Sequence, residues 1–234
     1  MNDFSAKSEY DLNDLRNIIK YLRSGDGCSW DRVQTHESIR PNLIEETYEV
    51  IEAIDNDDND LMREELGDLL MQIVFHAQIE EELGSFTLDD VISDVSKKLI
   101  RRHPNVFSGE SRGEQSSDQN FWEESKKKEK KRLTVTDSMR AVPPSLPALM
   151  RCSSVIRKAM KDGYNFGTEL EIFKKISYDA DRLLNGRSFN IDVLEGELCE
   201  LLFDTSVLST LFDIDLEEKV NKKIRGFIEK YPKI

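Results

Sequence analysis

Residues 61–83 read LMREELGDLLMQIVFHAQIEEEL. Wound at about 100° per residue, their apolar side chains cover most of a helical circumference. The stretch therefore reads as one long helix, buried on most sides. Glu65, Asp68, Gln72 and His76 share a wedge of about 80°. Their spacings of three, four and four residues put them in one row. Carboxylates in a row on a buried helix are unfavourable unless paired or bound to a cation. The alternative is a solvent-facing wedge, but Leu61 and Ile79 point the same way.

Upstream, residues 55–59 (DNDDN) read as a short connection, with Asp60 as the N-cap of the long helix. A second helix is expected from about Ser38 to Ile54, with a core stripe of Leu43, Thr47, Val50, Ile51 and Ile54. Glu46 and Glu49 lie on the flank of that stripe beside Ala53, while Glu45 and Glu52 point outward to solvent. A short connection makes the two helices antiparallel neighbours. Glu46 and Glu49 then face Glu65 and Asp68 across one groove. Four converging carboxylates repel without a cation, and oxygen-only ligands suit Mg²⁺ or Mn²⁺ rather than Zn²⁺. The three His (His36, His76, His103) are too scattered for a His/Cys metal site.

Downstream, Gly84 ends the long helix, and Thr87 to Asp90 reads as a capping box opening a helix to about Arg102. His103-Pro104 stops it. Ser108 to Gln119 reads as a loop, and a short basic helix follows around Phe121 to Arg132. Residues 142–147 (VPPSLP) hold half of the chain's six prolines. They mark a boundary between a domain at 1–140, a linker at 141–150 and a domain at 151–234. Further helices are expected at Leu149–Met160, Thr168–Leu184, Ile191–Leu211 and Leu216–Tyr231. At the other end, Asp11 to Leu22 has a regular helical period, followed by a loop around Cys28-Ser29-Trp30-Asp31. No run alternates like strands, so the fold class is all-α, an antiparallel helical bundle.

Charge sharpens this picture. The 234 residues carry 33 Lys+Arg against 46 Asp+Glu, a net charge of −13. Between Glu37 and Asp90 there are 17 acids and only Arg40 and Arg63 as bases. Such a balance argues against nucleic-acid polymers and anionic membranes as partners. No apolar run approaches the ~20 residues of a membrane span. Three scattered Cys read as reduced thiols in a cytoplasmic protein. Basic residues gather just beyond the acidic block: Lys97, Lys98, Arg101 and Arg102, then Lys126 to Arg132. Lys98 and Arg102, one turn apart, suit phosphate binding, with Arg101 beside them. Their plainer role is to cap a helix dipole. Carboxylates holding Mg²⁺ next to cations suit hydrolysis of a phosphoanhydride. Of the two Trp, Trp30 reads as a core or lid anchor. Trp122 reads equally as an anchor or as a base contact.

Several motifs now stand in order: Cys28-Ser29-Trp30-Asp31-x-x-Gln34-Thr35-His36, Leu43-Ile44-Glu45-Glu46-x-x-Glu49, Glu64-Glu65-Leu66-Gly67-Asp68-Leu69-Leu70 and Lys98-Leu99-Ile100-Arg101-Arg102-His103-Pro104-Asn105-Val106-Phe107. With Phe121-Trp122-Glu123-Glu124-x-Lys126 and the Pro-rich stretch, they resemble the MazG family over most of the chain. The resemblance implies tandem all-α MazG-like domains that dimerise. It implies Mg²⁺-dependent cleavage of NTPs or dNTPs to nucleoside monophosphate and pyrophosphate. The family's ExxE…ExxD metal pattern falls on Glu46, Glu49, Glu65 and Asp68, the same four acids. On this reading Glu45 orients or deprotonates the attacking water, beside Glu49. Asn42, Lys98, Arg101, Arg102 and Trp122 contact the nucleotide. The second domain departs from the pattern: Glu197-Leu198-Cys199-Glu200 replaces the ELGD segment, and Lys175-Ile176-Ser177-Tyr178-Asp179 keeps only its last acid, Asp179, in place of Glu49. The first domain is therefore expected to be catalytic and the second structural, with an apolar edge at Leu198–Leu211 favouring a dimer. The competing expectation is a non-hydrolytic nucleotide-sensing or scaffold module, whose acidic face is simply solvated. A His-Asp phosphohydrolase is disfavoured, because no His-Asp pair occurs.

Overall fold

Local capping sets where the helices begin. In the computed structural model, which describes residues 7–107, 134–185 and 191–231, every regular element described is a helix. Helix α1 (Leu12–Leu22) opens on a capping box in which Asp11 accepts from the Asp14 N–H and Asp14 accepts from the Asp11 N–H. After the short α2 (Ser29–Arg32), α3 (His36–Asp55) opens on Thr35 and Ser38 in the same reciprocal way. It thus starts two residues earlier than expected, with Thr35 as the cap and Ser38 as its reciprocal partner. Asp57 adopts a left-handed backbone, φ 54. The next residue, Asp58, accepts from the N–H groups of Asp60 and Leu61 and so caps α4 (Asn59–Leu83) in place of the expected Asp60. Gly84 ends α4 at φ 73, a conformation that only glycine takes without strain. Thr87 and Asp90 box the start of α5 (Leu88–Arg102), and α6 (Pro104–Phe107) follows His103.

The chain divides into two compact units, Met1–Glu114 and Gln115–Ile234. In the first, α1, α3 and α5 all pack on α4. Its core joins Ile19, Ile39, Val74, Phe75, Ala77, Ile79 and Leu88, with Leu15, Leu22 and Met71 against it. Burying a side chain of this size stabilises by roughly 1.5–3 kcal/mol. Arg23 is almost as buried as they are. It donates through Nε and Nη2 to the two carboxylate oxygens of Glu82, each at 2.9 Å, and through Nη1 to the carbonyls of Asp31 and Gln34. Its guanidinium also lies 5.0 Å from the centre of the Phe75 ring. One side chain thereby ties α1, the segment leading into α3, and the end of α4. Nothing in a helical period singles out that role. Arg16, which bonds both Glu81 and Asp89, holds the start of α5 in the same way.

Two expectations about the helix faces are corrected. The inward side of α3 carries Ile39 and Ala53 as its buried residues, while Thr47, Ile51 and Ile54 of the expected core stripe are exposed. Helix α4 is not buried on most sides either: Leu66, Leu70 and Ile73 are exposed. Periodicity locates an apolar stripe but not what covers it, and here the acids took the inward side. Trp30 also changes role. It lies on α2 and is 59% exposed, so it anchors no core within this unit.

The second unit is built from α7 (Val135–Arg140), α8 (Ala148–Lys161), α9 (Glu169–Asn185), α10 (Ile191–Leu211) and α11 (Leu216–Ile228). Helices α7, α10 and α11 pack on α8, and α9 pairs with α10. Ile156, Ile172 and Val207 form its core, with Cys152, Met160, Phe166, Ile176 and Leu208 packed around. The Pro-rich stretch 142–147 lies inside this unit, between α7 and α8, with Val142 buried. The expected loop 108–119 and basic helix 121–132 fall outside the described residues.

Candidate metal and nucleotide site

The antiparallel pair α3/α4 brings distant acids together. Glu49 meets Glu65, and one turn along Glu46 meets Asp68. Oxygens of Glu46, Glu49 and Glu65 all lie within 4.8 Å of one another. Asp68 adjoins this trio and acts on it through its charge. Glu65 is only 8% exposed, and Glu46 and Glu49 are half-buried. Burial, then the charges of Asp68 and Glu49, push the Glu46 carboxyl above its ordinary value. Burial again, then the Glu49 charge and a hydrogen bond with Glu49, push up Glu65. Among the described residues no Lys, Arg or His forms an ion pair with any of the four acids. The donor set is hard oxygen with a deficit of positive charge. It fits Mg²⁺ or Mn²⁺, and it does not fit a soft metal.

The other expected residues are placed as follows. Glu45 is exposed on α3, and its charge also bears on Glu46. Asn42 is half-buried one turn before Glu46 on the same helix. Lys98, Arg101 and Arg102 lie in the last turns of α5, with Lys98 half-buried, Arg101 exposed and Arg102 buried. The ring of His103, which closes that helix, meets the Leu99 carbonyl at 2.8 Å. Trp122 lies outside the described residues.

His76 belongs to the same row of α4 but not to the acid cluster. Its Nδ1 lies 2.7 Å from Nδ1 of His36, and Nε2 of His36 lies 2.7 Å from Glu80 Oε1. The two rings are nearly parallel, 8° apart. Two facing Nδ1 atoms require one donor and one acceptor. Burial, then the neighbouring His36, depresses the His76 pKa, which suits His76 as the neutral acceptor. Sequence reading missed this pairing, although the α3/α4 register that joins the acids also carries His36 to His76.

The second unit shows what happened to the same pattern. Arg182 of α9 pairs with Glu197 of α10, as Glu49 pairs with Glu65 in the first unit. With Glu197 matching Glu65, Arg182 takes the place of Glu49, and Asp179 takes that of Glu46. The expected match of Asp179 with Glu49 is thus one turn out, and Ile176 packs against the core instead of standing at a ligand position. Lys175 Nζ lies 2.9 Å from Asp204 Oδ1 and 3.9 Å from Glu200 Oε2. Bonding to Asp204, then the charges of Asp204, Glu200 and Asp179, raise the Lys175 pKa. In this unit the chain's own cations pair with Glu197 and Asp204, while Asp179 is buried with its Oδ2 unpartnered.

Comparison with known proteins gives a consistent result. The profile of the MazG nucleotide pyrophosphohydrolase domain matches residues 34–107, which include all four acids and the Lys98–Arg102 motif. The chain is 41% identical over 223 residues to the nucleoside triphosphate pyrophosphohydrolase/pyrophosphatase MazG of Thermotoga maritima, covering 95% of this chain and 85% of that protein. It is 36% identical over 226 residues to the nucleoside triphosphate pyrophosphohydrolase of Escherichia coli K12, covering 93% and 86%. A nucleoside triphosphate pyrophosphohydrolase of Mycobacterium tuberculosis is 42% identical over 154 residues, 65% of this chain and 46% of that protein.

Proposed function

The chain belongs to the MazG family, and from that premise we propose that it is a Mg²⁺-dependent nucleoside triphosphate pyrophosphohydrolase whose first unit carries the active site. The observation that carries this reading is the trio Glu46, Glu49 and Glu65, with oxygens within 4.8 Å and, among the described residues, no cationic side chain to balance them. Glu46, Glu49, Glu65 and Asp68 are the metal-holding residues. When bound there, Mg²⁺ neutralises phosphate oxygens and lowers the pKa of a water for attack. Glu45, beside the trio and open to solvent, orients or deprotonates that water together with Glu49. Lys98 and Arg102, with Arg101, hold the distal phosphates, and Asn42 and Trp122 contact the nucleoside. Charge-assisted donors of this kind also stabilise pyrophosphate as it leaves.

The ion-paired acids Glu197 and Asp204 of the second unit support a structural rather than catalytic role for it. The exposed apolar face formed by Ile44, Tyr48 and Ile51 of α3 and Leu66, Leu70 and Ile73 of α4 supports a homodimer. Three free Cys support a cytoplasmic location, and among the described residues no helix is long and apolar enough to cross a membrane. The test is the first product formed from a panel of NTPs and dNTPs. Pyrophosphate is expected, with turnover lost in Glu49→Gln. Orthophosphate as the first product, or full turnover in that variant, overturns the reading.

A further inference from the structure

The row on α4 that carries Glu65 and Asp68 continues to His76, and there the start of α3 meets it. His36 is the first residue of α3. Its Nδ1 faces Nδ1 of His76 at 2.7 Å, and its other nitrogen, Nε2, lies 2.7 Å from Oε1 of Glu80, one turn further along α4. The remaining nitrogen of the group, His76 Nε2, is buried without a hydrogen-bond partner.

The pair has room for a single shared proton. A hydrogen bond with Ser85, then one with His36, holds the Glu80 carboxyl below its ordinary value, so Glu80 accepts and His36 Nε2 donates. One proton between the two facing Nδ1 atoms joins the rings, whichever of them carries it. Two protons leave N–H against N–H, with no acceptor between two like charges. His76 has no other outlet for the second charge, because its Nε2 is buried and unpartnered. Nor do neighbouring groups offset it. Among the described residues, the charge acting on His76 is that of His36, and His36 in turn faces Glu80 and adjoins Glu37. The cations that α1 turns toward this end of α4 are engaged elsewhere: Arg16 by Glu81 and by Asp89 of α5, Lys20 by Glu81, and Arg23 by Glu82.

We propose that His36, His76 and Glu80 form an acid-released clamp, which holds the first turn of α3 against α4 with one proton between the rings and opens when a second arrives. Burial, then the neighbouring His36, keeps the His76 pKa below the ordinary imidazole value of 6.5 while the clamp is closed. Closure is therefore favoured above about pH 6.5 and is lost as pH falls below it. Helix α3 also carries Glu46 and Glu49, so opening its first turn would loosen the carboxylate groove in acid. That consequence rests on the functional reading above; the clamp itself does not.

The experiment follows hydrogen exchange by NMR in the full chain with EDTA, from pH 7.5 to pH 5.0. The amides of Ile39, which donates to the Thr35 carbonyl, and of Arg40 report on the first turn of α3. Their protection, corrected for the intrinsic pH dependence of exchange, is expected to fall by up to tenfold for each pH unit below about 6.5, the response to one proton taken up on opening. In His76→Asn an amide oxygen accepts from His36 at every pH, and the fall is expected to be lost. Glu46 and Glu65 titrate in both proteins, so the difference in slope isolates the pair. If that variant fails to fold, His36→Asn, whose amide oxygen accepts from His76, is expected to do the same. The proposal is overturned if wild-type protection is flat with pH, or if it falls as steeply in the folded variants. Pyrophosphate release is measured on the same proteins, and from pH 7.5 to pH 5.5 it is expected to fall further in wild type than in His76→Asn; an equal fall overturns the coupling to the groove. Release with flat protection removes this inference alone, and a protection slope without release at any pH removes the functional reading alone.

Discussion

Replacing Glu65 by Gln separates a metal centre from a solvated acidic face. The side chain keeps its shape but becomes permanently neutral, the form toward which burial and Glu49 shift Glu65. In metal-free protein at pH 7 the variant removes one of three mutually repelling charges whose oxygens lie within 4.8 Å. Apo Glu65→Gln should therefore melt no lower than apo wild type. With Mg²⁺ the order reverses. A ligand at a hundredfold excess over its Kd stabilises the folded state by about 2.7 kcal/mol. In a unit of roughly 100 residues each kcal/mol moves Tm by about 4–8 °C, so Mg²⁺ should raise the wild-type transition by about 10–20 °C. In the variant most of that increment disappears. Thermal unfolding of both proteins, with EDTA and with Mg²⁺ plus a non-hydrolysable triphosphate, gives all four transitions. A Mg²⁺ increment that survives in Glu65→Gln, or an apo variant that melts well below apo wild type, would refute the reasoning. The first result removes Glu65 from the metal. The second shows the acid to be a structural partner rather than a repelled neighbour.

Proton linkage has a defined sign at the same site. Glu46 and Glu65 are raised above the ordinary 4.5, so the folded state holds protons that the unfolded chain has released. Apo stability from these groups is present below about pH 4.5 and is lost as pH rises through the raised values. The Mg²⁺ increment should grow over that same window, and an increment flat with pH contradicts it. Arg23→Met should lower stability by about 3 kcal/mol, the lower end for breaking a buried pair, because Glu82 keeps partial access to water; an unchanged urea midpoint would show that the clamp contributes nothing. Gly67 faces open space, with nothing within 4 Å of where an alanine methyl would sit. Gly67→Ala should stabilise the monomer by up to about 1 kcal/mol through helix propensity and weaken self-association, read by sedimentation at several concentrations. Undiminished association would move the dimer interface off the α4 face.

Much of the fold was legible because its signals are local. The caps at Thr87 and Gly84 announce themselves through a short side chain or a missing one, and α10 ends where periodicity puts it. The acid trio was legible for a different reason: carboxylates spaced by three on two adjoining helices have few other arrangements. What escaped depends on long-range packing. Whether Ile51 and Ile54 or Glu46 and Glu49 face inward is decided by what else covers α3, and a single period is compatible with both. Arg23 is one base among many until the carbonyls of Asp31 and Gln34 and the carboxylate of Glu82 converge on it. His36 and His76 look like scattered histidines because nothing local signals a pair 40 residues apart.

The two units illustrate how one helix-pair geometry resolves a single electrostatic problem in two ways. Antiparallel helices bearing acids one turn apart bring carboxylates together, and the repulsion must be balanced. In the first unit no cationic side chain among the described residues pairs with these acids, which is the arrangement the proposed metal site needs. In the second, Arg182 stands opposite Glu197 and Lys175 lies among Asp204, Glu200 and Asp179. An ammonium is a point charge with three N–H donors and no open coordination position. It can neutralise acids but cannot activate a water or bridge phosphates. An arginine in place of a ligand acid removes metal chemistry while keeping the helices in register, which accords with the structural role proposed for the second unit. Pairing of this kind also explains why Asp204 is tolerated in a buried position: the ammonium that pairs with it is covalently part of the chain.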